Sequence, residues 1–111
     1  PFFVKGEKTE SSGELISGTT AAKLREIMEY TVSSHYGEDM FYPLKVGSKT
    51  GTAEINESTE STGWMVGFSS DDACPLAFAV VVEEGGLGYY SAGPIAKIAM
   101  TESAKSLGFE G

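Results

Sequence analysis

The chain has 111 residues, 41% of them apolar, and its 16 acidic and 8 basic residues give a formal net charge of -8. This length and apolar fraction indicate one domain-sized unit with a hydrophobic core. The acidic balance argues against a surface for nucleic acid or for an anionic membrane. The single cysteine, Cys74, excludes an intrachain disulfide and a cysteine-rich zinc site. No apolar run approaches the ~20 residues needed to cross a bilayer, so the sequence predicts a soluble segment.

An amphipathic helix is predicted first, over residues 17–34. Ser17, Thr19 and Thr20 are candidates for its N-cap, because a hydroxyl there accepts a hydrogen bond from a free N–H group of the first turn. Its apolar positions recur at helical spacing with charged residues between them: Ala21, Leu24, Ile27, Met28 and Val32. Residues 35–44 lack clear periodicity, which predicts a connection. The sole histidine, His35, has no partners at triad or metal spacing and is interpreted as a surface or loop histidine.

Three strands are predicted next, over residues 45–55, 64–69 and 76–83. In the second strand Trp64, Val66 and Phe68 alternate with Met65 and Gly67, which favours core packing of the aromatic rings over a ligand platform. The third strand is apolar on both faces, so it needs cover above and below. Short polar stretches separate the strands, as in an antiparallel meander.

The chain is predicted to end with a helix over residues 92–107, with Pro94 in the first turn and Gly108 at the C-terminal cap. The fold class is therefore α+β, an antiparallel meander of three strands flanked by an N-side helix and a C-terminal helix. The strand Leu76–Glu83 would form a sheet edge, and a two-sided apolar edge invites pairing. We expect a further strand along it, supplied by the rest of a longer parent chain or by a second copy.

The strand Val46–Glu54 contains Lys49-Thr50-Gly51, and it is followed by Gly63-Trp64-Met65-Val66-Gly67-Phe68, by Val80-Val81-Val82-Glu83 and by Gly93-Pro94-Ile95. Together these runs resemble the C-terminal part of the transpeptidase domain of penicillin-binding proteins, most closely the class B type. Lys-Thr-Gly is one of three signature motifs of these serine enzymes. The resemblance implies a segment of a five-stranded antiparallel sheet with helices on both sides.

The other two signature motifs are absent. No serine has a lysine three positions later, and the only asparagine, Asn56, has Glu54 rather than serine two positions before it. Residues 1–111 are therefore expected to be the C-terminal segment of a penicillin-binding domain whose nucleophile lies upstream. Such a segment should not catalyse by itself.

The resemblance also implies roles for four residues. Lys49 would supply a catalytic cation, while Thr50 and Gly51 would bind the carboxylate and backbone of a D-alanyl substrate. Thr52 would join them in substrate binding and give its N–H as the second oxyanion donor. The parent would be a peptidoglycan DD-transpeptidase that binds stem peptides and β-lactams without cofactor or metal. The family is anchored in the bacterial cytoplasmic membrane and works on its outer side.

Two alternatives remain open. A β-lactamase or β-lactam sensor also carries Lys-Thr-Gly followed by a similar Gly-Trp strand, and upstream motifs would distinguish it. A non-enzymatic interaction module would bind a partner through the open sheet edge. That reading would be favoured if the parent chain also lacked the Ser-x-x-Lys motif.

Overall fold

A computed structural model describes residues 11–54 and 61–110 of the chain. Its α-helices and strands follow the predicted order: α1 (Gly18–Thr31), β1 (Val46–Ala53), β2 (Thr62–Ser69), β3 (Ala77–Val82) and α2 (Gly88–Ser106). A π-helix (Val32–Gly37) that was not predicted continues α1, so the α-helix ends three residues before the predicted residue 34. The predicted α+β meander is confirmed. The acidic stretch 56–60 and the predicted last residue of the first strand, Ile55, lie outside the described residues.

The strands form one antiparallel sheet with the order β1-β2-β3. The register between β1 and β2 is continuous, from Val46 opposite Ser69 to Ala53 opposite Thr62. Because each strand follows its neighbour through a short connection, β1 and β3 are both edge strands within the part of the chain that the structure describes.

Helix α2 covers one face of the sheet with small side chains. Ala92, Ala96 and Ala104 are fully buried at helical spacing, so the helix can approach the sheet closely. On the strand side Met65 is 0% exposed and lies at the centre of this core. The remaining buried members are Val32, Phe41, Leu44, Val46, Cys74 and Met100.

Helix α2 begins at Gly88 rather than at the predicted residue 92, so Pro94 lies inside the helix instead of in its first turn. The first residue of the helix packs tightly against the sheet. A Cβ at Gly88 would collide with the carbonyl oxygen of Gly51 and come within 2.5 Å of that of Trp64, so only glycine fits against the sheet here. The predicted cap at Gly108 is confirmed, since its φ is +77° and the Phe109 N–H donates to the Ala104 carbonyl at 2.9 Å.

Helix α1 starts where the sequence predicts, with Ser17 as N-cap accepting a hydrogen bond from the Thr20 N–H at 3.1 Å. Its carboxylate Glu29 holds it against the sheet, accepting from the Ser70 hydroxyl at 2.6 Å and pairing with Lys45 at 3.5 Å. The apolar side of this helix is nevertheless left open, because Leu24 is 46% and Ile27 61% exposed.

Candidate functional site

The Lys-Thr-Gly residues lie in the middle of β1, where backbone groups alternate between the two sides of the strand. The Ser70 N–H donates to the Lys45 carbonyl at 2.7 Å, which identifies this pair as hydrogen-bonded. In an antiparallel ladder every second pair has this character. With a continuous register, Lys49 and Gly51 therefore bond to β2, while the N–H and C=O groups of Thr50 and Thr52 point to the free edge.

Lys49 is exposed on the sheet face opposite α2. Its ammonium group curls to the strand edge and donates to the Thr50 carbonyl at 2.9 Å. That carbonyl is one of the outward-pointing groups. The cation thus lies at the same edge as the outward N–H of Thr52, the position at which an oxyanion or a carboxylate can meet both.

Thr50 is half-buried and points its side chain to the α2 face. Its hydroxyl is hydrogen-bonded to the Tyr36 hydroxyl at 3.0 Å. The Tyr36 ring stacks on Tyr89, with ring centroids 4.9 Å apart. The Thr50 hydroxyl is therefore held directly by Tyr36 of the π-helix, and Tyr89 of α2 supports that contact through the stacked rings.

Thr52 connects the end of β1 to α2. Its hydroxyl accepts a hydrogen bond from the N–H of Gly88, the first residue of that helix, at 3.3 Å. The first N–H groups of a helix have no partner within the helix, and the Thr52 hydroxyl supplies one for the N–H of Gly88. This contact fixes the backbone of Thr52, whose own N–H points outward.

Gly51 makes room for an aromatic ring. A Cβ at this position would collide with Cζ2 and Cε2 of Trp64 and lie 2.6 Å from its Nε1. Gly47 stands in the same relation to Phe68, whose Cζ would be 2.5 Å from an added Cβ. The resemblance implied that Gly51 meets the substrate backbone, and the structure shows that the cross-strand Trp64 ring occupies the space that a Cβ of residue 51 would need.

Trp64 and Phe68 do share a face with Val66, as the alternation predicts. That face is the one bearing Lys49, however, and both rings are only half-buried there. The enclosed core lies on the other face around Met65. The two rings thus flank Lys49 on a face that α1 partly covers, since the Arg25 guanidinium carbon lies 5.8 Å from the Phe68 ring centroid.

Sequence reasoning missed the tyrosines of this site. Tyr36 lies in a stretch without periodicity, and its hydroxyl meets Thr50 from 14 residues away. Tyr89 lies in a region read as the approach to the last helix. No local sequence pattern predicts the Tyr36–Thr50 or the Tyr36–Tyr89 contact, because both form only when the π-helix and α2 pack against β1.

The other candidates stay outside the site. His35 is exposed, and its ring meets that of Tyr30 edge to face with the ring centroids 6.2 Å apart. Cys74 is buried in the core. Among the described residues, no three His, Cys, Asp or Glu side chains are grouped as a metal site would require. None of the helices described is both long and apolar enough for a membrane span. A groove of about 720 Å³ between α1 and the start of β1 does not include Lys49–Thr52.

Three solved structures are similar to this chain. The crystal structure of PBPA from Mycobacterium tuberculosis is 32% identical with a TM-score of 0.63, and the match covers 81% of this chain and 22% of that one. The imipenem acyl-enzyme complex of penicillin-binding protein A from the same organism is 31% identical with a TM-score of 0.57, and the match covers 79% of this chain and 20% of that one. The D,D-transpeptidase domain of a peptidoglycan glycosyltransferase from Eggerthella lenta is 28% identical with a TM-score of 0.62, and the match covers 83% of this chain and 22% of that one.

The chain thus spans about a fifth of the length of the solved chains it matches. The curated proteins contain no match to it. The family described as the penicillin binding protein transpeptidase domain matches residues 1–101, which is most of the sequence. The chain therefore belongs to the penicillin-binding protein transpeptidase family.

Proposed function

We propose that this chain supplies the Lys-Thr-Gly wall of a peptidoglycan DD-transpeptidase site that β-lactams also occupy. One observation carries the proposal: at the free edge of β1 the Lys49 ammonium lies 2.9 Å from the Thr50 carbonyl oxygen, and by the alternation of the ladder the Thr52 N–H points to the same edge. The imipenem acyl-enzyme of a similar protein supports β-lactam binding as the relevant chemistry.

The reaction would begin on a serine outside residues 1–111. Its oxygen attacks the carbonyl of the D-Ala-D-Ala bond, the C–N bond breaks, and D-alanine leaves. An amine of a neighbouring stem peptide then displaces the serine from the ester. In both steps negative charge builds on the carbonyl oxygen, and the Thr52 N–H would donate to it. Lys49 and the Thr50 hydroxyl would hold the substrate carboxylate, the lysine as a compact cation and the threonine as a donor.

The open surfaces of the chain support a larger parent domain. Leu24 and Ile27 on α1 are 46% and 61% exposed, and Val81 on β3 is 64% exposed. Apolar surface of this extent is normally covered by a partner. We assign the cover to the nucleophile-bearing part of the parent, acting at the outer face of the bacterial cytoplasmic membrane. The isolated segment, lacking that part, should be inactive.

The test is intact-mass analysis after exposure to benzylpenicillin, for the 111-residue chain and for the complete protein that contains it. We expect one adduct on the complete protein and none on the chain. An adduct on the chain would mean a nucleophile within residues 1–111. No adduct on either would reject β-lactam acylation and favour an interaction module.

Variants of the complete protein test the assigned lysine. Lys49→Ala should slow acylation on the order of 100-fold or more, the typical loss when one preorganised electrostatic contact to the reacting group is removed. Lys23→Ala is the matched control, because Lys23 is an exposed lysine of α1. Equal acylation rates for the two variants would remove Lys49 from the proposed site.

A further inference from the structure

Tyr36 is the one residue of the site that reaches the Lys-Thr-Gly strand from another element through its side-chain hydroxyl, among the hydrogen bonds of the described residues. The Tyr36–Thr50 contact joins two hydroxyl groups at 3.0 Å in a half-buried setting. This O···O distance lies at the long end of the usual range for a hydrogen bond between hydroxyl groups. The importance of this contact comes from Thr50, the residue to which the proposed function gives the substrate carboxylate.

The position of Tyr36 is set by its backbone and by one aromatic contact. Its backbone lies in the π-helix Val32–Gly37, a rare geometry that continues α1 and ends at Gly37 with a φ of +104°. Its ring stacks on Tyr89 with an interplanar angle of 28°. Offset aromatic stacking of this kind restricts ring orientation. The Tyr36 ring is thus packed between the core and Tyr89, with its hydroxyl directed at Thr50.

Counting protons gives the direction of this hydrogen bond in the bound state. A threonine hydroxyl and a phenol each have one proton to donate, whereas a carboxylate only accepts. If Thr50 gave its proton to Tyr36, it would have none for a carboxylate. The arrangement in which Tyr36 donates to Thr50 leaves the threonine proton free, and a donated bond also strengthens the bond that Thr50 then makes.

We propose that Tyr36 is a positioning residue that donates to the Thr50 hydroxyl and so aims the threonine proton at the carboxylate of the substrate or β-lactam. The proposal rests on the function proposed above. It predicts that Tyr36 favours ligands with a free carboxylate and acts on binding of the ligand. It assigns Tyr36 no direct contact with the reacting atoms.

The test uses the complete protein with benzylpenicillin and with its methyl ester, which lacks the negative charge. Tyr36→Phe keeps the ring stacked on Tyr89 and removes only the hydroxyl. We expect its acylation efficiency for benzylpenicillin to fall about 5- to 20-fold, because one bond to a charge-binding group is lost indirectly. The loss should appear in the apparent dissociation constant, with the acylation rate constant at saturation nearly unchanged. The methyl ester should react within about 2-fold of the wild-type rate.

A double-mutant cycle separates positioning from general stabilisation. In a Thr50→Val background, which has no hydroxyl to aim, Tyr36→Phe should change the benzylpenicillin rate by less than about 2-fold. In a Thr50→Ser background, which restores a hydroxyl, Tyr36→Phe should again lower the acylation efficiency for benzylpenicillin. Tyr42→Phe is the matched control, because Tyr42 is 75% exposed, and it should behave as the wild type.

Each outcome is decisive. If Tyr36→Phe slows both ligands equally, or if its effect persists unchanged beside Thr50→Val, its role is structural and the proposal is wrong. If Tyr36→Phe reacts with benzylpenicillin at the wild-type rate, the proposal is also wrong although the proposed function stands. If the wild-type protein forms no adduct, the proposed function falls and this inference falls with it.

Discussion

Gly51 gives the sharpest test of the packing around the candidate site. Its φ is not in the left-handed region, so alanine can adopt the same backbone conformation. The obstacle is Trp64, because a Cβ would collide with Cζ2 and Cε2 of the indole and lie 2.6 Å from Nε1. Side-chain Cβ atoms essentially never approach other heavy atoms below 3.0 Å. The ring must therefore move off the strand in Gly51→Ala.

Two opposing effects determine how much Gly51→Ala changes the free energy of unfolding. Overpacking costs about 1–3 kcal/mol, while replacing glycine by alanine at a compatible backbone position stabilises by about 0.4–1 kcal/mol through the unfolded state. Gly51→Ala should thus lower the free energy of unfolding by about 1.3 kcal/mol, the difference between the midpoints of these two ranges. Gly18→Ala is the matched control, because nothing lies within 4 Å of its added Cβ.

The assay is urea unfolding of the 111-residue chain at a fixed low concentration, followed by circular dichroism and by fluorescence. Trp64 is the only tryptophan, so the emission reports the displaced ring directly and should shift to the red. In a Trp64→Leu background the cost of Gly51→Ala should fall below about 0.5 kcal/mol. An unchanged unfolding midpoint and emission, or an equal cost in both backgrounds, would refute the steric explanation.

Two further predictions concern the core and the open edge. Met65→Ala should lower the free energy of unfolding by about 2–5 kcal/mol, since the side chain is fully buried, whereas Ile98→Ala, at a 64% exposed position, should cost under about 0.5 kcal/mol in the same urea experiment. The isolated chain should self-associate through β3, and Val81→Lys should weaken this at least about tenfold in sedimentation velocity, because a charge on an exposed edge opposes strand pairing. A monomeric wild type, or a variant that associates equally well, would contradict the edge prediction.

The sequence by itself determined the elements whose signals are local. Helical periodicity located α1, alternation located β2, and a run apolar on both faces located β3. Ser17 was one of three N-cap candidates for α1, and Gly108 located the end of α2. The sequence also identified the family through Lys49-Thr50-Gly51 and the strand motifs that follow. These features are readable because each depends on the spacing of residues within one element.

Tertiary structure alone decided which residues meet. Phe41 and Leu44 are buried in the core although they lie in a stretch without periodicity. The connection that carries them packs against the sheet, with the Phe41 ring centroid 5.8 Å from that of Phe78 in β3. Helix α2 begins at Gly88, which packs against the β1 and β2 backbone and donates its N–H to the Thr52 hydroxyl, so Pro94 does not mark the helix start. The Tyr36–Thr50 hydrogen bond and the Trp64 ring over Gly51 likewise join residues distant in the chain. A periodic pattern reports which face a side chain takes, but the neighbour on that face is fixed only when separate elements pack together.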